Sequence, residues 1–340
     1  MIWQFDLILL TLVVIFALIS LRVKDLMGAS IVFGAYSFLM CLIWAGMGAV
    51  DVAFTEAAVG AGVSTVFMIA TIYNTGRMIK PRPQDMSFKL LMMLVVVITG
   101  AFLLTAVNDF PEWGDPYSPV NDHVAAYYLT HSMSDTAVPN VVTSVLADYR
   151  SFDTMFETAV VFVALIGIYG IIRRRRKQDD SDSDTDALPP YDPSESLIIR
   201  QASRMMVPFM QIFALYVVAH GHHSPGGGFQ GGVILGASLI LYSMSYNLPT
   251  LFKKMTEKWI ILLSAIGVLI FSGVGVICMM LGSNFLDYSV LSQILPATDS
   301  VMARSHAMLI VEIGVAFTVM CAMVGIYTSL ASNGRFDKGL

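Results

Sequence analysis

The chain has 340 residues, of which 56% are hydrophobic and 13% charged, and its mean hydropathy is +0.70. These values exclude a soluble domain and describe a polytopic membrane protein. The formal charge of −5 is concentrated in one short acidic stretch, so it implies no nucleic-acid partner.

A spanning helix needs about 20 mainly apolar residues. Nine stretches qualify, at about 2–21, 28–48, 52–75, 88–108, 153–172, 197–219, 227–247, 259–281 and 305–330. The first lacks a basic leader and a small-residue cleavage site, so it reads as a membrane helix rather than a signal peptide. Basic residues alternate along the chain: Arg22 and Lys24, then Arg77, Lys80, Arg82 and Lys89, then Arg173–Lys177, then Lys253, Lys254 and Lys258, and finally Arg335 and Lys338. The intervening connections are nearly free of lysine. The pattern predicts nine spans in the cell inner membrane, with the N-terminus outside and the C-terminus in the cytoplasm. Residues 108–152, rich in Pro, Asp and Tyr, are expected to form a partly ordered outer cap. Residues 178–196 carry Asp-Asp-Ser-Asp-Ser-Asp-Thr-Asp and Pro-Pro-Tyr-Asp-Pro, and predict a disordered acidic linker. The fold class expected is all-α, with two helical bundles at 1–177 and 197–340 joined by that linker.

Ionisable groups inside spans are costly and are functional candidates by default. Glu56 heads them, in Asp51-Val-Ala-Phe-Thr-Glu-Ala-Ala-Val-Gly-Ala-Gly. Asp51 and Thr55 are expected to share its face, and the small residues after it admit a close neighbouring helix. Asp153 and Glu157, four apart, are expected to face one way. Glu312 lies deep in the last span, eight residues after Arg304, with His306 between them. Each carboxylate could take up and release a proton or Na⁺; each could also be a helix cap or an interhelical hydrogen-bonding group.

Residues 220–232 read His-Gly-His-His-Ser-Pro-Gly-Gly-Gly-Phe-Gln-Gly-Gly. Such backbone is tolerated at membrane depth only where protein or water satisfies it. Pro225, Gly226, Gly227, Gly228, Gly231 and Gly232 therefore predict a closely packed corner, with His220, His222 and His223 at its mouth. The histidines have no Cys or acidic ligand nearby, so no metal site is expected. They could instead pass protons or bond the loop backbone. No Lys-Ser/Thr follows the glycines, which rejects a phosphate-binding loop. Cys41, Cys278 and Cys321 sit in apolar runs without paired spacing and read as packing residues. No haem motif or nucleophile–base pair is present, and no cofactor is expected.

Two segments carry a family resemblance. The glycine-rich stretch and the four-span shape of residues ~197–330 resemble MrpB/MnhB, the B-type component of Mrp-type multisubunit Na⁺/H⁺ antiporters. Residues 1–75, through Arg22-Val-Lys-Asp-Leu-Met-Gly-Ala and the Asp51 stretch, resemble the membrane domain near the end of the large A-type component. Residues 139–172 resemble the segment after it. The same modules occur as separate small chains of membrane-bound hydrogenases (MbhD/MbhE-like). The resemblance implies a fusion of an A-type tail with an MrpB/MnhB domain, with Glu56, Asp153 and Glu157 among the carboxylates of a sodium pathway. It implies a transporter subunit rather than an enzyme. The partners implied are complex-I-like A-type and D-type pump subunits, the small C-, E-, F- and G-type subunits, Na⁺, H⁺ and the lipid bilayer. The pump domain of the A-type component is expected on another chain. A second expectation is a membrane-arm subunit of a redox-driven pump related to membrane-bound hydrogenase.

Overall fold

A computed structural model describes residues 3–79, 85–112, 114–173, 196–295 and 299–334. Among these residues the regular elements are helical, and nine helices are long and apolar enough to cross a membrane. They are α1 (Trp3–Arg22), α2 (Leu26–Gly46), α3 (Val50–Thr75), α4 (Met86–Val107), α5 (Ser151–Ile172), α6 (Leu197–His220), α7 (Gly228–Tyr246), α8 (Glu257–Met280) and α9 (Ser300–Ala331). The expectation of disorder at 178–196 falls, apart from Ser196, outside the described residues.

Polar side chains start several helices by satisfying backbone donors that have no partner within the helix. Asp25 accepts from the Met27 amide before α2, and Asp299 from Met302 before α9. Asp25 also takes both arms of the Arg77 guanidinium, at 2.6 and 2.8 Å. That contact holds its carboxyl below the usual carboxylate range.

Two compact units divide the chain. Residues 78–131 form one; its helix α4 has no buried residue. The other contains residues up to 77 and from 132 onward, and α9 is its centre. Helix α9 packs against α3, α5, α7 and α8, and 72% of its most apolar window is buried. Helix α3 in turn packs on α2 and α7, and α2 on α1. Helix α5, from before residues 178–196, packs on α8 and α9, from after them.

Glycines set the closeness of this packing. A Cβ on Gly228 would overlap the carbonyl oxygen of Glu312; on Gly232 it would lie 2.8 Å from that of Ala316, and on Gly236 2.9 Å from Met323 Cβ. The four-residue spacing on α7 thus meets a matching ladder on α9, as small residues do where helix backbones approach closely. Gly267 of α8 and Gly314 of α9 repeat the arrangement, with a Gly314 Cβ placed 2.8 Å from the Gly267 carbonyl oxygen.

Helix α3 contains an irregularity that sequence periodicity does not predict. Its residues Glu56–Val63 are wound as a π-helix, a form that often marks functional positions. Ser64 donates its hydroxyl to the Gly60 carbonyl at 2.6 Å, occupying an acceptor in the wide segment.

Gly232→Val is expected to lower the stability of the detergent-purified chain by about 1–3 kcal/mol, the usual cost of overpacking. Gly273→Ala, where an added Cβ meets nothing within 4 Å, should leave the thermal midpoint unchanged or slightly raised.

Candidate functional site: a carboxylate cavity at the glycine corner

The corner between α6 and α7 turns through Gly226 and Gly227, whose φ values are +145° and +135°. Side chains rarely adopt such values, so both positions need glycine. The turn presses the backbone onto the carboxylate of Glu312. A Cβ on Gly227 would stand 3.2 Å from Glu312 Oε1, and one on Gly221 3.1 Å from Oε2. The glycines therefore make room for a carboxyl group as well as for a neighbouring helix. Glu312 is 8% exposed, and its Oε2 has no hydrogen-bond partner among the described residues.

Beside it lies a cavity of about 500 Å³. Three carboxylates line it, Asp51, Glu157 and Glu312, with the polar side chains of Thr55, Thr143, Thr154 and Gln230. Its remaining lining is glycine and apolar, and among the described residues it includes no lysine, arginine or histidine. The Gly226 amide donates to Asp51 Oδ1 at 3.1 Å, and Gln230 Nε2 donates to Thr55 Oγ1 at 2.9 Å. These two bonds tie α3 to the glycine corner. The segment after Pro139 closes the top. Asn140 Nδ2 donates to the carbonyls of Gly221 and Ser224, and Thr143 Oγ1 to that of Gly221 at 2.7 Å. The corner's carbonyls thus find partners in a segment distant in sequence. The space is partly open and large enough to admit several waters.

The structure brings some expected residues together and separates others. Asp51 and Thr55, one helical turn apart, both face the cavity. Glu56 does not share their face. One residue further on, it is rotated by about 100° and lies against α2, where its carboxylate stands beside Gly60 and Ser37. Glu157 lines the cavity at its open side and is itself exposed, but Asp153 does not. Asp153 is in the first turn of α5 and is held by Arg150 at 2.5 Å. His220 and His223 are exposed, with the His220 ring stacked on Tyr216. His222 is half-buried; its carbonyl accepts from the Asn140 amide at 2.9 Å, and its Nε2 has no partner among the described residues. Burial first, then the nearby His223 and His306, push its imidazole below the usual range, so it is neutral at pH 7. His306 is exposed. Pro225 is exposed, whereas Gly231 and Gly232 are buried below the corner, packed on Val218 and Ala316.

Comparison with known proteins adds a second partition. Residues 198–325 match the model of the "domain related to MnhB subunit of Na+/H+ antiporter", residues 11–77 that of the D component of MBH (MbhD), and residues 114–187 that of its E component (MbhE). A putative antiporter subunit mnhB2 of Staphylococcus aureus (strain Newman) is 31% identical over 139 residues, which are 41% of this chain and 96% of that protein. The chain belongs to the MnhB-related family of antiporter subunits. A probable K(+)/H(+) antiporter A/B subunit of Rhizobium meliloti (strain 1021) is 24% identical over 326 residues, 88% of this chain. The match spans only 31% of that relative's length. A chain in the structure of the Mrp complex from Dietzia sp. DQ12-45-1b shares the fold with a TM-score of 0.74, at 24% identity, over 97% of this chain and 35% of its own length.

The cavity takes one carboxylate from each matched segment. Asp51 comes from the MbhD-like part, Glu157 from the MbhE-like part and Glu312 from the MnhB-related part. None of the three segments alone would supply the full set.

Sequence singles out Arg304 but gives no sign of its partner. Arg304 Nε donates to Asp148 Oδ2 at 2.7 Å, and its guanidinium lies over the Tyr149 ring. The Tyr149 hydroxyl donates to Asp135 at 2.7 Å. Burial pushes the Asp148 carboxyl up, and Arg304 partly offsets this. The pair pins the 141–149 segment to α9 about 12 Å along the helix from Glu312. No local motif marks a contact of 156 residues' separation.

With side-chain exposures of 6% for Asp148 and 24% for Arg304, this is a mostly buried pair. Arg304→Met should therefore cost about 3–5 kcal/mol in thermal or denaturant unfolding, because it leaves Asp148 buried and unpaired. Adding Asp148→Asn should restore most of that loss. A double variant no more stable than the single would show that the pair is not the source of the cost.

Proposed function

We propose that this chain is a subunit of a multisubunit monovalent cation/proton antiporter, and that the Asp51–Glu157–Glu312 cavity is its ion-handling site. The observation that carries this reading is the convergence of three carboxylates, with no basic residue among the described lining, on one cavity inside a membrane bundle. A buried carboxylate can hold a proton or a monovalent cation, but each occupant weakens the other's binding. Alternate occupancy of the same oxygens then couples the two fluxes, and no covalent bond is broken. Glu312 is the central group, since it is buried and its Oε2 has no hydrogen-bond partner among the described residues. Asp51 is pre-oriented by the Gly226 amide, and Glu157 stands at the open side. Glu56, expected from sequence to be the main site, becomes a separate carboxylate facing α2. His222 and His306, near each other at the corner's mouth, are placed to relay protons.

The relatives' names support Na⁺ or K⁺ as the exchanged cation. The proposed partners are further antiporter components: the A- and D-type pump subunits and the small C-, E-, F- and G-type subunits. The basic ends of the helices are proposed to face the cytoplasm, which puts the cavity in the outer half of an inner-membrane protein. In this reading residues 1–177 and 197–340 are the A-tail-like and MnhB-like modules, fused across the acidic stretch. The names of the two MBH families support a second reading, a membrane-arm subunit of a redox-driven pump. Purification with partners separates the two, since iron–sulfur or nickel–iron chains would accompany only the second.

Glu312→Gln in the assembled complex should abolish cation-dependent proton flux in everted vesicles while the complex remains intact. Glu56→Gln should retain a measurable fraction of it. Full activity in Glu312→Gln would refute the assignment of the site.

A further inference from the structure

The cavity of Asp51, Glu157 and Glu312 has one open side, and an acid stands on it. Glu157 is the seventh residue of α5, about 9 Å along the helix from its start. Its side chain lines the cavity, is exposed, and takes part in no ion pair among the described residues. Arg150, at the start of the same helix, is engaged by Asp153 instead. The other exposed residues of the lining are apolar: Val52 of α3, Val142 and Leu146 of the segment after Pro139, and Val160 of α5. The opening is thus a single acid in an apolar rim.

The exposed face of α5 continues from this opening along the helix. Glu157, Val160, Ala164, Gly167 and Ile171 fall within an arc of about 80° at 3.6 residues per turn, and all five are exposed. A Cβ added to Gly167 would meet nothing within 4 Å. Ala164 and Gly167 therefore leave a strip where a second helix backbone can come close, as small residues do between membrane helices.

Neither lipid nor water matches this surface. An ionised carboxylate against acyl chains is costly. Behind Glu157 stand two more carboxylates, with no lysine, arginine or histidine among the described lining. Bulk water, in turn, leaves the rim of valine and leucine exposed at a cost. A membrane helix that is apolar apart from one basic side chain satisfies both parts.

We infer that a membrane helix of another chain covers this opening, lies along the Val160–Ala164–Gly167 strip of α5, and presents a lysine or arginine to Glu157. The inference rests on the reading of this chain as one subunit of an assembly, and adds the surface and the chemistry of one partner. The basic group neutralises the outermost carboxylate. Apolar side chains of the same helix cover Val52, Val142 and Leu146. Asp51 and Glu312 are left to the exchanged ions, in a cavity that the partner closes.

Photo-crosslinking of the assembled complex in its native membrane tests this, with benzoylphenylalanine replacing Val160 and peptide mass spectrometry locating the adduct. The expected adduct lies in a membrane span of a different chain, within one helical turn of a lysine or arginine. No protein adduct, an adduct within this chain, or one in a span without a basic residue at that distance would overturn the inference. Glu157→Lys should lower retention of the cross-linked chain on purification about tenfold, and changing the partner's basic residue to Glu in the same complex should restore it. Unchanged retention in Glu157→Lys, or no recovery on charge reversal, would also overturn it. An unchanged thermal midpoint of the Glu157→Lys chain excludes loss of fold as the cause. Both readouts report contact rather than transport, so this inference and the assignment of Glu312 fail separately.

Discussion

The structure depends on one close approach, that of the glycine corner to Glu312. A Cβ on Gly221 or Gly227 would press on the carboxylate oxygens of Glu312, and one on Gly228 would overlap the Glu312 carbonyl. The same approach lets α7 lie against α9 through Gly228, Gly232 and Gly236, so a single glycine run settles both the packing of the core and the enclosure of an acid. Enclosure is costly for a carboxylate unless it is protonated or accompanied by a cation. Under the proposed function, that cost makes occupancy by H⁺ or a metal cation the controlling variable of the site.

Around that contact, the cavity is asymmetric in a way that suits exchange. Glu312 is at its closed end, Asp51 is held by a backbone amide at its side, and Glu157 lies at its opening. Above it, the Arg304–Asp148 pair and the bonds from Asn140 and Thr143 fasten the 139–149 segment over the corner. This segment is therefore tied to both α9 and the corner, the two elements that enclose Glu312.

Much of this is legible in the sequence, and the exceptions have physical causes. Span positions follow from hydropathy, with α2 at Leu26–Gly46 against an expected 28–48 and α7 at Gly228–Tyr246 against 227–247. The corner's need for glycine is legible because few other residues can adopt its backbone. The companions of Glu312 are not, since carboxylates at 51, 157 and 312 meet only through the packing of α3, α5 and α9. Sequence does not show that Glu56 turns toward α2, because a span carboxylate stands out whichever way it points. Its direction depends on a rotation of one residue, at the start of a π-helical segment. The pairing of Asp153 to Arg150 is likewise not legible, since an i,i+3 neighbour is engaged in some helices and not in others. Asp148 is overlooked because it lies outside any span, although its side chain is only 6% exposed.

The central claim is that Glu312 lines a cavity in which a proton and a cation compete. Labelling of the assembled complex by a hydrophobic carbodiimide, which reacts only with protonated carboxyls, measures this directly when peptide mass spectrometry locates the adduct. The account expects modification at Glu312 that rises as pH falls and is suppressed by Na⁺ or K⁺ but not by choline at equal ionic strength. An adduct at Glu312 indifferent to the cation, or none there while Glu56 is labelled and cation-protected, would contradict it.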